Sequence, residues 1–428
     1  MNRPIANKEP HTDKSVPLWA EVDENGRLQL PPEVVTQYGI EPGARLRLEM
    51  TQHGIKLHRP ITHLAKIYLE PTNRCNIDCR TCMRQNWDVE LGMMSSETFA
   101  ALEASLAELT PPVNVMFGGL GEPLLHPQTA DMIAAVKALG FRAEMITNGT
   151  MLTERRSRQL IEAGLDLLWV SLDGARPESY ADVRLGAELP RVLANLRRFR
   201  RLRRPAHRPT PEIGIAFVAM ERNIADLPEL LKIGKSVGAK HFSVSNLLPH
   251  TAEMEQEILY KRSLNNITYL PSSWLRRLNI PKMDFNDLTA EPLIAGFNSG
   301  YNVTFAGNNL GEVNDVCTFI EQGAMAVGWD GRVAPCPPLL YHHVGYIRGY
   351  RRESFPHIVG HVCQQSLKTL WQTPAYEAYR DRVQRFAFAP CTFCGGCDLL
   401  ETNETDCFWN EAPACGSCLW AQGVIQCP

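Results

Sequence analysis

The sequence has no unbroken apolar run of about 18 residues, the length that reads as a bilayer-crossing helix, so no segment is expected to span a membrane. It also lacks an excess of one charge sign. Its 44 Lys and Arg stand against 47 Asp and Glu, a formal net charge of -3, which gives no bulk attraction to nucleic acid or to an anionic surface. The opening segment, MNRPIANKEPHTDKSVP, contains no apolar stretch of the kind a secretory signal needs, so the expected location is the cytoplasm. No solenoid-type repeat is present. Between Cys82 and Cys317 there is no cysteine, although the chain has 13. A reducing compartment excludes a disulfide framework, and thiols used as small core residues would be scattered. Crowding at short spacings argues instead for metal or iron–sulfur ligation.

A chain of 428 residues is long enough for two or three domains and can bury a large core. Residues 1–16 read as a disordered leader. In residues 17–60, LWAEVD and RLQLP alternate around Asn25-Gly26, a hairpin turn signal. Pro31-Pro32 then opens a short helix that stops at Gly39, and two more strands follow. This order resembles the SpoVT/AbrB-type swapped-hairpin module, which implies self-association, with a homodimer formed through residues 17–60 as the expectation. Residues 61–250 alternate apolar runs such as AKIYLEPT, VNVMFGG and LDLLWVSLDG with helical periods. That pattern predicts an α/β fold, a partial (β/α)6 barrel, with function at the C-terminal ends of its strands. The basic stretch at residues 197–209 reads as a helix end running into a surface loop, residues 251–300 as a connecting insertion, and residues 301–428 as a loop-rich, cysteine-rich domain.

Directly after the first barrel strand, CNIDCRTC sets Cys75, Cys79 and Cys82 at the spacing C-x3-C-x2-C. Three thiolates leave one iron of a [4Fe–4S] cluster without a protein ligand. A zinc knuckle would need a fourth ligand, and none lies nearby in the sequence. The motif in this position resembles the radical S-adenosylmethionine (SAM) superfamily. The resemblance implies that the open iron binds SAM and that reductive cleavage yields a 5′-deoxyadenosyl radical. It also implies a SAM contact in FGGLGEPLLHP, through Gly118, Gly119, Gly121, Glu122 and Pro123, with Glu122 accepting from the SAM ammonium. Asn148 in TNGT, and Ser171 and Asp173 in SLDG, are further SAM candidates, each of which could equally cap a following helix. Arg184 and Asn246 carry a weaker signal. Where the superfamily often places an aromatic residue before the third cysteine, this chain has Thr81.

Toward the C-terminus, Cys317, Gly331 and Cys336 are followed by Cys363, then Cys391, Cys394, Cys397, Cys407, Cys415, Cys418 and Cys427. A C-x(9–15)-G-x4-C pair ahead of a dense C-x2-C region resembles the SPASM extension, which implies auxiliary [4Fe–4S] clusters. The later spacings depart from that family's usual order, so the ligands of each cluster stay open. Two fully ligated clusters need about eight thiolates, leaving two of the ten spare. Cys363 is the first candidate for a spare, as a buried small hydrophobe. A zinc ribbon on the two C-x2-C pairs is the alternative, but it leaves Cys317, Gly331 and Cys336 unexplained.

The segments NWD (86–88), FGGLGEPLLHP, LWVSLDGARPESYADVR, NVTFAGNNLGEVND, CTFCGGC and LWAQGVIQCP are similar to the radical SAM maturases of tungsten-containing aldehyde ferredoxin oxidoreductases. That likeness implies a maturase acting on a tungsten-dependent oxidoreductase or its pterin cofactor, supplied with electrons by a low-potential ferredoxin or flavodoxin. Sulfatase maturases carry a basic Asp after the second SPASM cysteine; here Pro337 and Pro338 follow Cys336, so no catalytic acid or base is named. Two other readings stand beside this one: a peptide-modifying SPASM enzyme, and a redox-sensing DNA-binding regulator. Charge weighs against the regulator, since residues 17–60 hold five Lys/Arg and six Asp/Glu, and DNA affinity rests on clustered basic residues.

Overall fold

The computed structural model describes residues 19–40, 42–51, 54–86, 89–203, 211–261, 284, 286–292, 302–305, 317–389, 391 and 397–427. The expected leader, most of the expected insertion and Cys394 lie outside these residues. The chain divides into two compact units, with the boundary between His63 and Leu64.

The first unit contains an antiparallel pair, Glu21–Val22 with Leu28–Gln29, the helix Pro32–Tyr38, and a second antiparallel pair, Leu48–Thr51 with Gly54–Leu57. Asp23 fixes the first turn, its Oδ1 accepting from the amides of Asn25 at 2.9 Å and Arg27 at 2.8 Å. The helix begins behind Pro31 and ends at Gly39 in the left-handed region, the Pro-start, Gly-stop arrangement read from the sequence. Trp19, Val22, Leu28, Leu48, Met50 and Ile55 are all exposed.

In the second unit six parallel strands run in chain order: β1 (Lys66–Leu69), β2 (Asn114–Phe117), β3 (Arg142–Thr147), β4 (Leu167–Ser171), β5 (Glu212–Ala219) and β6 (His241–Asn246). Between them lie α1 (Ser96–Leu106), α2 (Thr129–Ala138), α3 (Glu154–Glu162), α4 (Leu189–Arg203) and α5 (Leu227–Val237). Strands covered by helices on one face and filled on the other are buried throughout, as all five residues of β4 are. Ser95 starts α1 by accepting from the Thr98 amide at 3.0 Å, and Thr153 starts α3 in the same way.

The sheet is wider than the six strands read from the sequence. At one edge β7 (Asn302–Phe305) pairs in parallel with β6; at the other, β8 (Ala324–Val327) pairs in parallel with β1. β8 then turns back into antiparallel β9 (Arg332–Ala334), which pairs with β10 (Gly360–His361). The cysteine-rich region is thereby anchored to the barrel by backbone ladder bonds. A separate hairpin, His343–Ile347 with Tyr350–Ser354, and the helices α6 (Leu367–Trp371) and α7 (Pro374–Gln384) complete it. Cys363 is exposed, which corrects its reading as a buried hydrophobe: it sits in the turn between β10 and α6 rather than on a packed face. Among the described residues no helix is long and apolar enough to cross a membrane.

Candidate functional site

The C-terminal end of β1 leads directly into the segment that carries Cys75, Cys79 and Cys82. All three line one cavity of ≈190 Å³, together with Thr81, Arg84, Gly119, Gly121, Glu122, Asn148, Ser171 and Arg184. The loops after β1, β2, β3 and β4 thus converge at the strand ends, where a βα barrel puts its chemistry.

The glycines of GGLGEP are required by the protein itself. A Cβ on Gly121 would lie 2.1 Å from the Thr72 carbonyl oxygen, so this loop packs directly on the backbone that delivers Cys75. Gly119 has φ +123°, and a Cβ there would lie 2.5 Å from Glu70 Oε1. Gly118 packs against Ile146, and Pro123 opens a short buried turn; neither lines the cavity.

Glu122 is buried and ties three segments together. Its Oε1 accepts from Thr147 Oγ1 at 2.7 Å and from the Leu124 amide at 3.0 Å, and its Oε2 accepts from the Asn148 amide at 2.7 Å. Burial raises its pKa above the usual carboxyl value, and these donors oppose the rise. Asn148 Nδ2 donates to Asn76 Oδ1 at 3.0 Å and approaches Cys75 Sγ at 3.8 Å.

Arg184 was only a weak candidate from the sequence. The structure pairs its backbone antiparallel with Cys79. Its Nη1 points at Cys79 Sγ at 3.6 Å, and its Nη2 and Nε contact Asp173 Oδ2 at 2.6 and 2.7 Å. Asp173 is fully buried, does not line the cavity, and also accepts from the Val218 amide. It therefore holds Arg184 against the thiol. Asn246 donates to the Val424 carbonyl at 2.9 Å, fastening the C-terminal tail to the end of β6. A further residue missed in the sequence is Glu70, buried just past β1. It accepts from the Leu120 amide at 2.8 Å and from Tyr341 Oη, and burial pushes its carboxyl up to about 7. The sequence signal was there, a charged residue ending an apolar strand, but nothing in it named Tyr341 as partner.

A second cavity, of ≈50 Å³, is lined by Cys317, Cys336, Cys415 and Cys418. One water needs roughly 10–15 Å³ by the same kind of measure, so the space exceeds that of a single small ion. Gly331, at φ +88°, turns β8 back into β9, and Cys336 follows β9 directly, which returns it to the cavity it shares with Cys317. This explains the C-x(9–15)-G-x4-C spacing. Tyr379 of α7 reaches Cys415, Oη to Sγ, at 3.3 Å. Burial raises the pKa of all four thiols, with Cys415 pushed up to about 12; in the first cavity Cys79 is pushed up to about 11. Loading metal therefore displaces protons from both sites. The donor sets fit iron–sulfur clusters: three thiols line one cavity and four line the other. Cys427 does not line the second cavity; its charge bears on Lys66 at the start of β1. Cys397 and Cys407 are exposed.

A parallel βα sheet whose first strand ends in a three-thiol cavity, followed by a cysteine-rich extension, defines a class that the comparisons recover. The Radical SAM superfamily profile matches residues 69–232, and the SPASM profile, an iron-sulfur cluster-binding domain, matches residues 317–398. Over 372 residues the chain is 31% identical to the tungsten-containing aldehyde ferredoxin oxidoreductase cofactor-modifying protein of Pyrococcus furiosus, covering 85% of this chain and 96% of that one. The chain belongs to that protein's family within the radical SAM superfamily. It is a radical SAM enzyme, whose chemistry uses a [4Fe–4S] cluster and SAM, with a SPASM iron–sulfur domain. Fe-coproporphyrin III synthase of Methanosarcina barkeri is 29% identical over 38% of this chain and only 39% of its own length. Among solved structures, anSMEcpe with bound AdoMet and the Cp18Cys peptide aligns with a TM-score of 0.54 at 18% identity, covering 84% of this chain and 96% of that one. SuiB of Streptococcus suis bound to its precursor peptide SuiA aligns at 0.52 and 14%, covering 74% and 67%. At these identities the two structures support the fold alone.

Proposed function

We propose that this enzyme is a maturase that cleaves SAM reductively in order to modify a tungsten-dependent oxidoreductase or its pterin cofactor. The observation that carries this reading is the likeness to the Pyrococcus furiosus cofactor-modifying protein, which extends over nearly the whole of both chains. Cys75, Cys79 and Cys82 would hold the cluster, which would supply the one-electron reduction that SAM cleavage requires. The remaining work falls to the protein. Arg184, braced by Asp173, donates to Cys79 and offsets thiolate charge. Glu122, held by Thr147 and the amides of Leu124 and Asn148, presents a carboxylate to the cavity for the SAM ammonium. Ser171 and Asn148 line the same space. Thr81 lines it too, and takes the place of the aromatic adenine contact common in the superfamily.

Cys317, Cys336, Cys415 and Cys418 hold one auxiliary cluster in this reading. Four of the ten C-terminal cysteines remain once these, Cys363 in the turn between β10 and α6, and Cys427 beside Lys66 are set aside: Cys391, Cys394, Cys397 and Cys407. They supply a second cluster by count. The first unit serves self-association, with a second copy covering the exposed apolar residues of its two hairpins. A low-potential ferredoxin or flavodoxin supplies the electrons.

The test is an anaerobic reaction of the reconstituted enzyme, SAM and dithionite with a tungsten oxidoreductase apoprotein, followed by mass spectrometry of its polypeptide and pterin. A mass change in either, dependent on SAM, is expected. Modification of a short peptide alone, with the oxidoreductase and its pterin unchanged, would sink the proposal in favour of a peptide-modifying enzyme.

A further inference from the structure

Arg352 lies on the hairpin strand Tyr350–Ser354, is 4% exposed, and lines the four-thiol cavity. Its hydrogen bonds all go to neutral groups. Nε donates to Ser417 Oγ at 2.6 Å, Nη1 to Ser354 Oγ at 3.1 Å, and Nη2 to the Ala414 carbonyl at 3.2 Å. No carboxylate among the described residues forms an ion pair with it. The thiols whose charge bears on it are Cys418, Cys415 and Cys391, in that order, and His343, which burial keeps neutral, lies beside it. A guanidinium stays protonated at any working pH, and a buried charge left uncompensated is strongly destabilising. A fold that places such a charge here needs an anion here. Ser417 and Ala414 flank Cys415 and Cys418, so the guanidinium is strapped to the loop that supplies two of the four thiols.

We propose that Arg352 is the built-in counter-charge of the auxiliary cluster held by Cys317, Cys336, Cys415 and Cys418, and that it sets that cluster's reduction potential. The inference rests on the reading of this cavity as a cluster site. A four-thiolate cluster is anionic, and one-electron reduction adds a further negative charge without moving a proton here. A fixed positive charge within the same buried space favours the reduced form. Removing it shifts the equilibrium toward the oxidised form.

The test uses the full-length chain carrying Cys75→Ala, Cys79→Ala and Cys82→Ala, so that only auxiliary clusters remain. Dithionite titration followed by paramagnetic resonance gives the potentials, iron is counted, and Cys336→Ala identifies which signal belongs to this cavity. With Arg352→Met that signal should shift at least tenfold toward the oxidised form, a potential about 59 mV lower for one electron. Arg352→Lys, which keeps the charge, should stay near the parent. Loss of this cluster's iron in the Met variant but not in the Lys variant supports the same conclusion. An unmoved potential with full iron in Arg352→Met overturns the inference and leaves the cluster assignment standing, as does equal iron loss in both variants. A parent signal unaffected by Cys336→Ala overturns the cluster assignment itself, and the inference with it.

Discussion

Glu70 makes the stability of the barrel depend on pH in a direction opposite to that of an ordinary carboxylate. It is 2% exposed, between the Leu120 amide and Tyr341 Oη, and burial pushes its carboxyl from 4.5 up to about 7. Because the folded pKa is the higher one, the folded state binds more protons than the unfolded state between these values. Stability is therefore fully present below about pH 4.5 and is lost as pH rises through about 7. The full shift corresponds to about 3 kcal/mol, and the part that falls between about pH 5.5 and about pH 8 is roughly 2 kcal/mol. In Glu70→Gln the side chain keeps an oxygen for Leu120 and an N–H for Tyr341 but has no charge to bury. The variant should therefore gain on the wild type as pH rises. Thermal unfolding midpoints, measured anaerobically at both ends of that range, should differ by a few degrees more at the alkaline end. Parallel pH profiles for the two proteins would refute the reasoning, because Glu70 would then be titrating as it does in the unfolded chain.

Asp173→Asn should weaken the hold on Arg184 and lower the SAM cleavage rate by roughly tenfold, the scale of a lost charged hydrogen bond, without changing iron content; an unchanged rate would leave Asp173 a purely structural residue. Fully reconstituted protein should contain about 12 irons per chain, and the Cys75, Cys79, Cys82→Ala variant about 8, from four irons per cluster. Zinc without iron in that variant would show the C-terminal region to be a zinc ribbon. Deletion of residues 1–60 should leave SAM cleavage intact but turn a self-associated protein monomeric by sedimentation; tight, salt-sensitive DNA binding by that segment would instead support the regulator reading.

The barrel was legible because buried parallel strands write themselves as apolar runs between helical periods, and Cys75, Cys79 and Cys82 because three thiols at that spacing have few other uses. The two extra edge strands were not. β7 and β8 are four residues each, and β8 turns back into β9 instead of leading into a helix of the barrel kind, so little local distinguishes them from loop. The strand-end residues stand out in the sequence, but their surroundings do not, since a sequence cannot say that Asp173 faces Arg184 while Glu122 faces the cavity. That Cys317 and Cys336 share a cavity with Cys415 and Cys418 depends on how the tail returns across β6, where Asn246 holds Val424. Such long-range pairing leaves no trace in spacing. Arg352 and Glu70 escaped for a related reason: a charged residue beside an apolar run reads as surface until its buried partners are known.

The most direct test of the central claim is the yield of 5′-deoxyadenosine from SAM and dithionite, compared between the wild type and Cys79→Ala. The wild type should form it. Cys79→Ala should form none, while the iron of the auxiliary clusters is retained. Undiminished product in the variant would contradict the assignment of Cys75, Cys79 and Cys82 as the site of SAM cleavage.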